Sequence, residues 1–229
     1  MKQVSAEEAA RIDAAAKEEI ASRGEVLPAH LPVDSLKNTQ LGGEYVLGEP
    51  FKTGLTQAKR AINNVHYFPA GTIFPSVARG TGEYEMAYNR KANVIKFKGE
   101  SNPFVVSHEF GHFIDWKVLG NPNDNVAGNF SRSLGASRLM GAIHDSNPVK
   151  VIGRGPSGQR RDYLLNRREL FARAYAQYIA IKSGDEETLA GLKKYLSDRK
   201  TKNWQWSDAE FEPIAEQFDG IFKAKGMIL

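Results

Sequence analysis

The run Ser107-His108-Glu109-Phe110-Gly111-His112 sets two imidazoles four residues apart, with a carboxylate directly after the first. A helix turns once in about 3.6 residues, so positions four apart stack on one face and can offer two nitrogens to a single ion. That donor pair suits a tetrahedral zinc ion. A carboxylate beside the ion rather than on it can take a proton from a metal-held water, whose pKa the metal lowers to about 7. The chain has only five histidines, and finding two in this order favours a ligand pair over two side chains packed independently. The flanks agree: Phe104, Val105 and Val106 before, Phe113, Ile114 and Trp116 after. A helix buried along its length is what a metal site needs.

A catalytic zinc takes three protein ligands and keeps its fourth position for water, so another donor must come from elsewhere. The chain has no cysteine, which rules out thiolate ligands, disulfide staples and cysteine nucleophiles together. The astacin and matrix-protease pattern would need a ligand six residues after His112, where Val118 stands. Asp115 lies too close to His112 along the helix to reach the same ion, and is assigned to orienting a histidine or tying the helix down. Further on, Asn166-Arg167-Arg168-Glu169-Leu170-Phe171-Ala172-Arg173-Ala174-Tyr175-Ala176 offers Glu169. Its i+3, i+4 and i+7 neighbours are Ala172, Arg173 and Ala176, and the alanines let this helix approach the first closely. From the residues alone Glu169 has two readings: a buried third ligand, or a solvated glutamate favoured by the helix dipole.

These residues need a scaffold, and the chain offers one. Residues 5–23 read as a polar helix with Ser5 and Glu8 as a capping box, and Leu27 to Phe51 as a Pro- and Gly-rich connector. A short helix is expected over Leu55 to Val65. The alternation of Tyr84, Met86 and Tyr88, a turn near Asn89-Arg90-Lys91, then Val94, Ile95 and Phe97 predict a hairpin. Such a sheet packs on the metal helix, and its edge can hold an extended peptide. Asn102-Pro103 opens the metal helix and Gly120-Asn121-Pro122 closes it. Asn123 to Gly158 reads as a loop over the cleft with one short helix near Ser133 to Ile143. Helices follow over Asn166 to Lys182, over Asp185 to Arg199, and in a last stretch ending near Lys225. The expected division is an appendage over residues 1–50 and one α+β domain over residues 51–229.

Composition bounds the rest. The 229 residues, 41% of them hydrophobic, suffice for one substantial domain. No segment has transmembrane length, and the N-terminus lacks a secretory apolar run, so the expectation is no membrane partner and work in the cytoplasm or after release by another route. The balance of 31 basic against 27 acidic residues is too mild for a dedicated nucleic-acid binder. The cluster Arg154, Arg160, Arg161, Arg167 and Arg168 reads as a solvated loop and helix start ahead of a phosphate or acidic-substrate contact.

His108-Glu109-Phe110-Gly111-His112 with Asp115, followed by Glu169-Leu170-Phe171-Ala172-Arg173-Ala174-Tyr175, resembles the gluzincin layout of the anthrax lethal-factor type. It is more similar still to the metallopeptidase-like domains of phage and mobile-element polyvalent proteins, with Tyr163 ahead of the second helix and a closing Phe218-Asp219-Gly220-Ile221-Phe222. The resemblance implies a zincin-like fold with a small, mainly antiparallel sheet on the metal helix and a mostly helical C-terminal half. It implies Zn2+ on His108, His112 and Glu169, Glu109 as general base, and Tyr163, one position off the lethal-factor spacing, as donor to a tetrahedral oxyanion. Tyr163 is otherwise an ordinary aromatic, and His144 an alternative donor. The expected activity is a zinc-dependent endopeptidase acting on a protein or peptide, in a phage, mobile-element or toxin-like setting. The alternatives are a catalytically weak zincin-fold structural or delivery protein of a phage, packaged in the particle, and a DNA-associated or anti-defence protease.

Overall fold

The computed structural model describes residues 49–69, 72–79, 86–97, 102–121 and 128–228. The expected N-terminal helix and most of the connector lie outside them. The described part is α+β, with one small sheet and a predominance of helix. Among the described residues no helix is long and apolar enough to cross a membrane.

Helix α1, Glu49–Asn63, starts earlier than Leu55 and buries Leu55, Ala58, Ala61 and Ile62. Strands β1 (Ser76–Arg79), β2 (Met86–Asn89) and β3 (Val94–Phe97) form a sheet in the order β1-β3-β2. The β2–β3 hairpin is antiparallel, with Tyr88 opposite Ile95. The β1–β3 pair is parallel, so the sheet is mixed and not mainly antiparallel. Asn93 explains the difference. It sits at φ 50 after the turn, and its side-chain amide donates to the carbonyls of Ile73 and Phe74 at 3.1 and 3.2 Å. Its own carbonyl accepts from Ser76 N at 3.0 Å. The approach to β1 is thereby held alongside the start of β3, running the same way.

Helix α2, Pro103–Phe113, carries the two histidines. Asn102 caps it by accepting from Phe104 N at 2.9 Å, and proline at the first turn costs nothing because that N–H has no helical partner. The chain then passes into a π-helical turn, Ile114–Val118, closed by Leu119 N to Ile114 O at 2.9 Å. Gly120 ends it where no side chain fits: a Cβ there would lie 2.3 Å from Gly128 O and 2.6 Å from Asp115 O.

Residues 128–158 are more ordered than a loop. Two 3-10 turns (Phe130–Arg132, Leu134–Ala136) lead into α3 (Ser137–Asp145) and α4 (Asn147–Arg154). Helix α4 starts where Pro148 fits the first turn, and it buries Val149, while α3 buries Leu139, Met140 and Ile143. Those apolar positions carry helical spacing, which outweighs the loop-like composition around them. Helix α5 (Gln159–Leu164) precedes α6 (Arg167–Ser183), α7 (Glu186–Ser197) and α8 (Asp208–Ala224).

Helix α6 is the axis of the molecule, buried at every position from Glu169 to Ala180. It packs along α2, and α8 packs against both α6 and α3. Phe218 and Phe222 are fully buried and stack at 5.5 Å, with Phe218 edge-on to Phe171 at 5.4 Å. The Phe-Asp-Gly-Ile-Phe tail therefore closes the core. Gln177 fastens α6 to the approach to α8, donating to Trp206 O at 2.8 Å and accepting from Trp206 N at 3.1 Å. The buried Arg173 ties in two more segments by donating to Leu164 O at 2.7 Å and Trp204 O at 2.8 Å.

Candidate metal centre

Two helices can bring three ligands together only if their backbones come close. Gly111 makes this possible: a Cβ on it would stand 3.0 Å from Ala172 Cα and 3.1 Å from the Tyr175 ring. The glycine in the middle of His-Glu-Phe-Gly-His faces the alanine one turn after Glu169, with no side chain between them. The small-residue face expected around Ala172 is present, and Gly111 is its counterpart.

The result is a cluster. His108 Nε2 lies 3.3 Å from Glu169 Oε2, and His112 Nε2 lies 3.1 Å from Glu169 Oε1. Donor atoms of the three residues fall within 4.8 Å of one another. The imidazoles stand perpendicular, centroids 4.9 Å apart, so each turns a nitrogen towards the carboxylate. Zinc–nitrogen bonds of about 2.0–2.1 Å at tetrahedral angles set neighbouring ligand atoms about 3.3 Å apart. Two imidazole nitrogens and a carboxylate at these spacings could hold a divalent cation.

The electrostatics point the same way. Burial tends to raise the Glu169 carboxyl, but hydrogen bonds from His108 and His112 outweigh it and hold the group well below the usual carboxylate range. Burial tends to lower His112, yet the bond to Glu169 carries it above its ordinary value. A buried carboxylate between two imidazoles is stabilised by positive charge, whether protons or a metal supply it.

Glu109 is buried beside this cluster without joining it. Its Oε2 accepts a 2.6 Å hydrogen bond from the backbone N–H of Tyr88 in β2. Glu109, His112 and Glu169 line one cleft of about 290 Å³, together with β2 residues Met86 to Tyr88. Tyr163, near the end of α5, lines the same cleft with a half-exposed ring. His144 stands exposed on α3 and is not in the lining.

Asp115 ties the helix down. It accepts from Asn129 Nδ2 at 2.7 Å, Ser131 N at 2.6 Å and Ser131 Oγ at 2.9 Å. Burial pushes its carboxyl up, with Ser131 and Asn129 pulling back. The π-helical turn carries it to this loop; nothing in the sequence signals that turn. The arginine cluster separates into individual roles. Arg160 lies over Trp204 at 5.1 Å, Arg161 faces Asp162 at 3.3 Å, Arg167 donates to Ser131 O at 2.7 Å, and Arg168 lines the cleft.

Sequence reasoning offered the strand of Tyr88 as a peptide-holding edge but missed the bond from its backbone to Glu109, and it missed Arg90, Trp116 and Asn129 as cleft residues. A backbone donor leaves no trace in residue type, and the others come from the turn, the π-helical stretch and the loop beyond it. No family model, curated protein or solved structure matches the chain.

Proposed function

We propose that the protein is a zinc-dependent endopeptidase. The observation that carries this reading is the convergence of His108, His112 and Glu169 beside a cleft in which Glu109 is held apart from them. His108, His112 and Glu169 would hold the ion. Bound there, zinc would supply a Lewis acid able to polarise a carbonyl and to lower the pKa of water.

In this reading Glu109 is the general base. Its Oε2 is occupied by the Tyr88 amide, so Oε1 takes the proton of the attacking water and returns it to the leaving amine. Among the described residues strand β2 is at the edge of the sheet and lines the cleft, and an extended peptide pairing along it would run past Glu109. The phenol of Tyr163 serves as a donor to the negative charge that develops on the carbonyl oxygen.

The test is cleavage of a degenerate peptide pool by the zinc-loaded protein and by E109Q. Cutting by the first and not the second supports the scheme. A pool cut equally well by E109Q would sink it.

A further inference from the structure

The cleft beside the metal centre carries two cations that peptide hydrolysis as such does not use. Arg90, in the turn after β2, and Arg168, in the first turn of α6, both line it. Among the described residues neither guanidinium pairs with a carboxylate, whereas Arg60, Arg161 and Lys182 each have an acidic partner. Both are nevertheless anchored. The guanidinium carbon of Arg90 lies 4.9 Å from the ring centroid of the buried Trp116, a cation–π contact that leaves its N–H edge for other partners. Arg168 is half-buried, and its Nε leans at 3.5 Å on Asn166 Oδ1, the atom that also caps α6.

A divalent cation on the three ligands offsets the carboxylates of Glu109 and Glu169, so the two arginines leave the cleft positive. They reach it from different elements, one from the hairpin and one from α6. A planar guanidinium held this way matches a carboxylate through paired N–H donors. A volume of about 290 Å³ holds a side chain or two beside a peptide backbone, and is too small for a folded partner.

We propose that the cleft selects peptides with an aspartate or glutamate next to the bond that is cut, Arg168 and Arg90 receiving its carboxylate. The inference rests on the peptidase reading of the same site, and two measurements on the full zinc-loaded chain separate them. In the first, a degenerate peptide pool is cut and the new termini are sequenced. In the second, the E109Q variant is titrated with two fluorescein-labelled peptides of common background, one with a central Glu-Glu and one with Lys-Lys.

Acidic residues should be enriched beside the cut. The Glu-Glu peptide should bind about five- to tenfold more tightly than its partner. Adding Arg168→Glu or Arg90→Glu should shift the preference towards Lys-Lys, a gain that a merely structural arginine would not give. Each variant is checked for bound zinc, and the two arginines serve as independent tests should one substitution fail to fold. Equal binding of the two peptides, or a preference unmoved by both charge reversals, overturns the inference. An uncut pool with selective binding intact would instead remove the peptidase reading and leave the acidic preference to a binding cleft.

Discussion

The backbone N–H of Tyr88 donates to Oε2 of Glu109 at 2.6 Å, so the sheet edge and the metal helix are joined at the residue proposed as the base. A glutamine at position 109 retains a carbonyl oxygen for this bond, and an alanine does not. In metal-free protein, E109A should therefore be less stable than E109Q by about 1–3 kcal/mol, the cost of leaving a part-buried backbone N–H unpaired. Urea unfolding of the two variants side by side measures this. Equal stability would mean that the bond does not hold the edge.

A Cβ on Gly111 would meet the Ala172 backbone at 3.0 Å, so it fits only if the two helices give by a few tenths of an ångström. In an open helix Gly→Ala would add about 1 kcal/mol of stability, but here the new methyl must push α2 and α6 apart. G111A should lose about 1–3 kcal/mol by overpacking, and its zinc affinity should fall because Glu169 rides on the displaced helix. Denaturant unfolding and competition with a zinc-binding dye read the two effects separately. A more stable variant with unchanged affinity would contradict the close approach.

Asp115 accepts three hydrogen bonds from Asn129 and Ser131 while fully buried. Asp115→Ala leaves those donors without a partner and should cost about 3 kcal/mol. Asp115→Asn should be intermediate, since its carbonyl oxygen can still serve Ser131 N while its NH2 meets the Asn129 amide. Because Asp115 is outside the ligand cluster, the asparagine variant should still take up one equivalent of zinc. Loss of zinc by a folded D115N would move Asp115 into the metal site.

How much of this was legible beforehand depended on what kind of interaction was at stake. The ligand pair follows from helical periodicity, and the approach of the second helix from the small residues after Glu169, because both are properties of residue type and spacing. The parallel β1–β3 pair hangs on one asparagine, Asn93, reaching back to Ile73 and Phe74, a long-range contact with no local signature. The π-helical turn that aims Asp115 at Ser131 is one extra residue in a helix of otherwise regular pattern. Helix α4 was hidden because Gly, Ser, Asn and Pro around it suggested loop, although Pro148 stood where a first turn accepts it.

His66 is fully buried among Phe68, Tyr175, Tyr178 and Phe222. Burial pushes its imidazole down to about 3, against a pull from Met227. A folded pKa below the unfolded value of about 6.5 means that the unfolded chain takes up the proton first. The contribution of neutral His66 is complete above that value and is lost as pH falls, at about 1.4 kcal/mol per unit. Between about pH 6.5 and 4.5, before most carboxylates titrate, H66F should therefore lose less stability than wild type by about 2 kcal/mol. Parallel pH–stability curves would show that His66 is protonated in the folded state.

The central claim is that His108, His112 and Glu169 form one metal site with Glu109 outside it. Elemental analysis of wild type, E109Q and E169A, each purified without added metal and again after zinc is supplied, tests it most directly. One equivalent of zinc in wild type and in E109Q, with loss in E169A, is the predicted result. No zinc in the wild type even after it is supplied, or full retention by E169A, would contradict it.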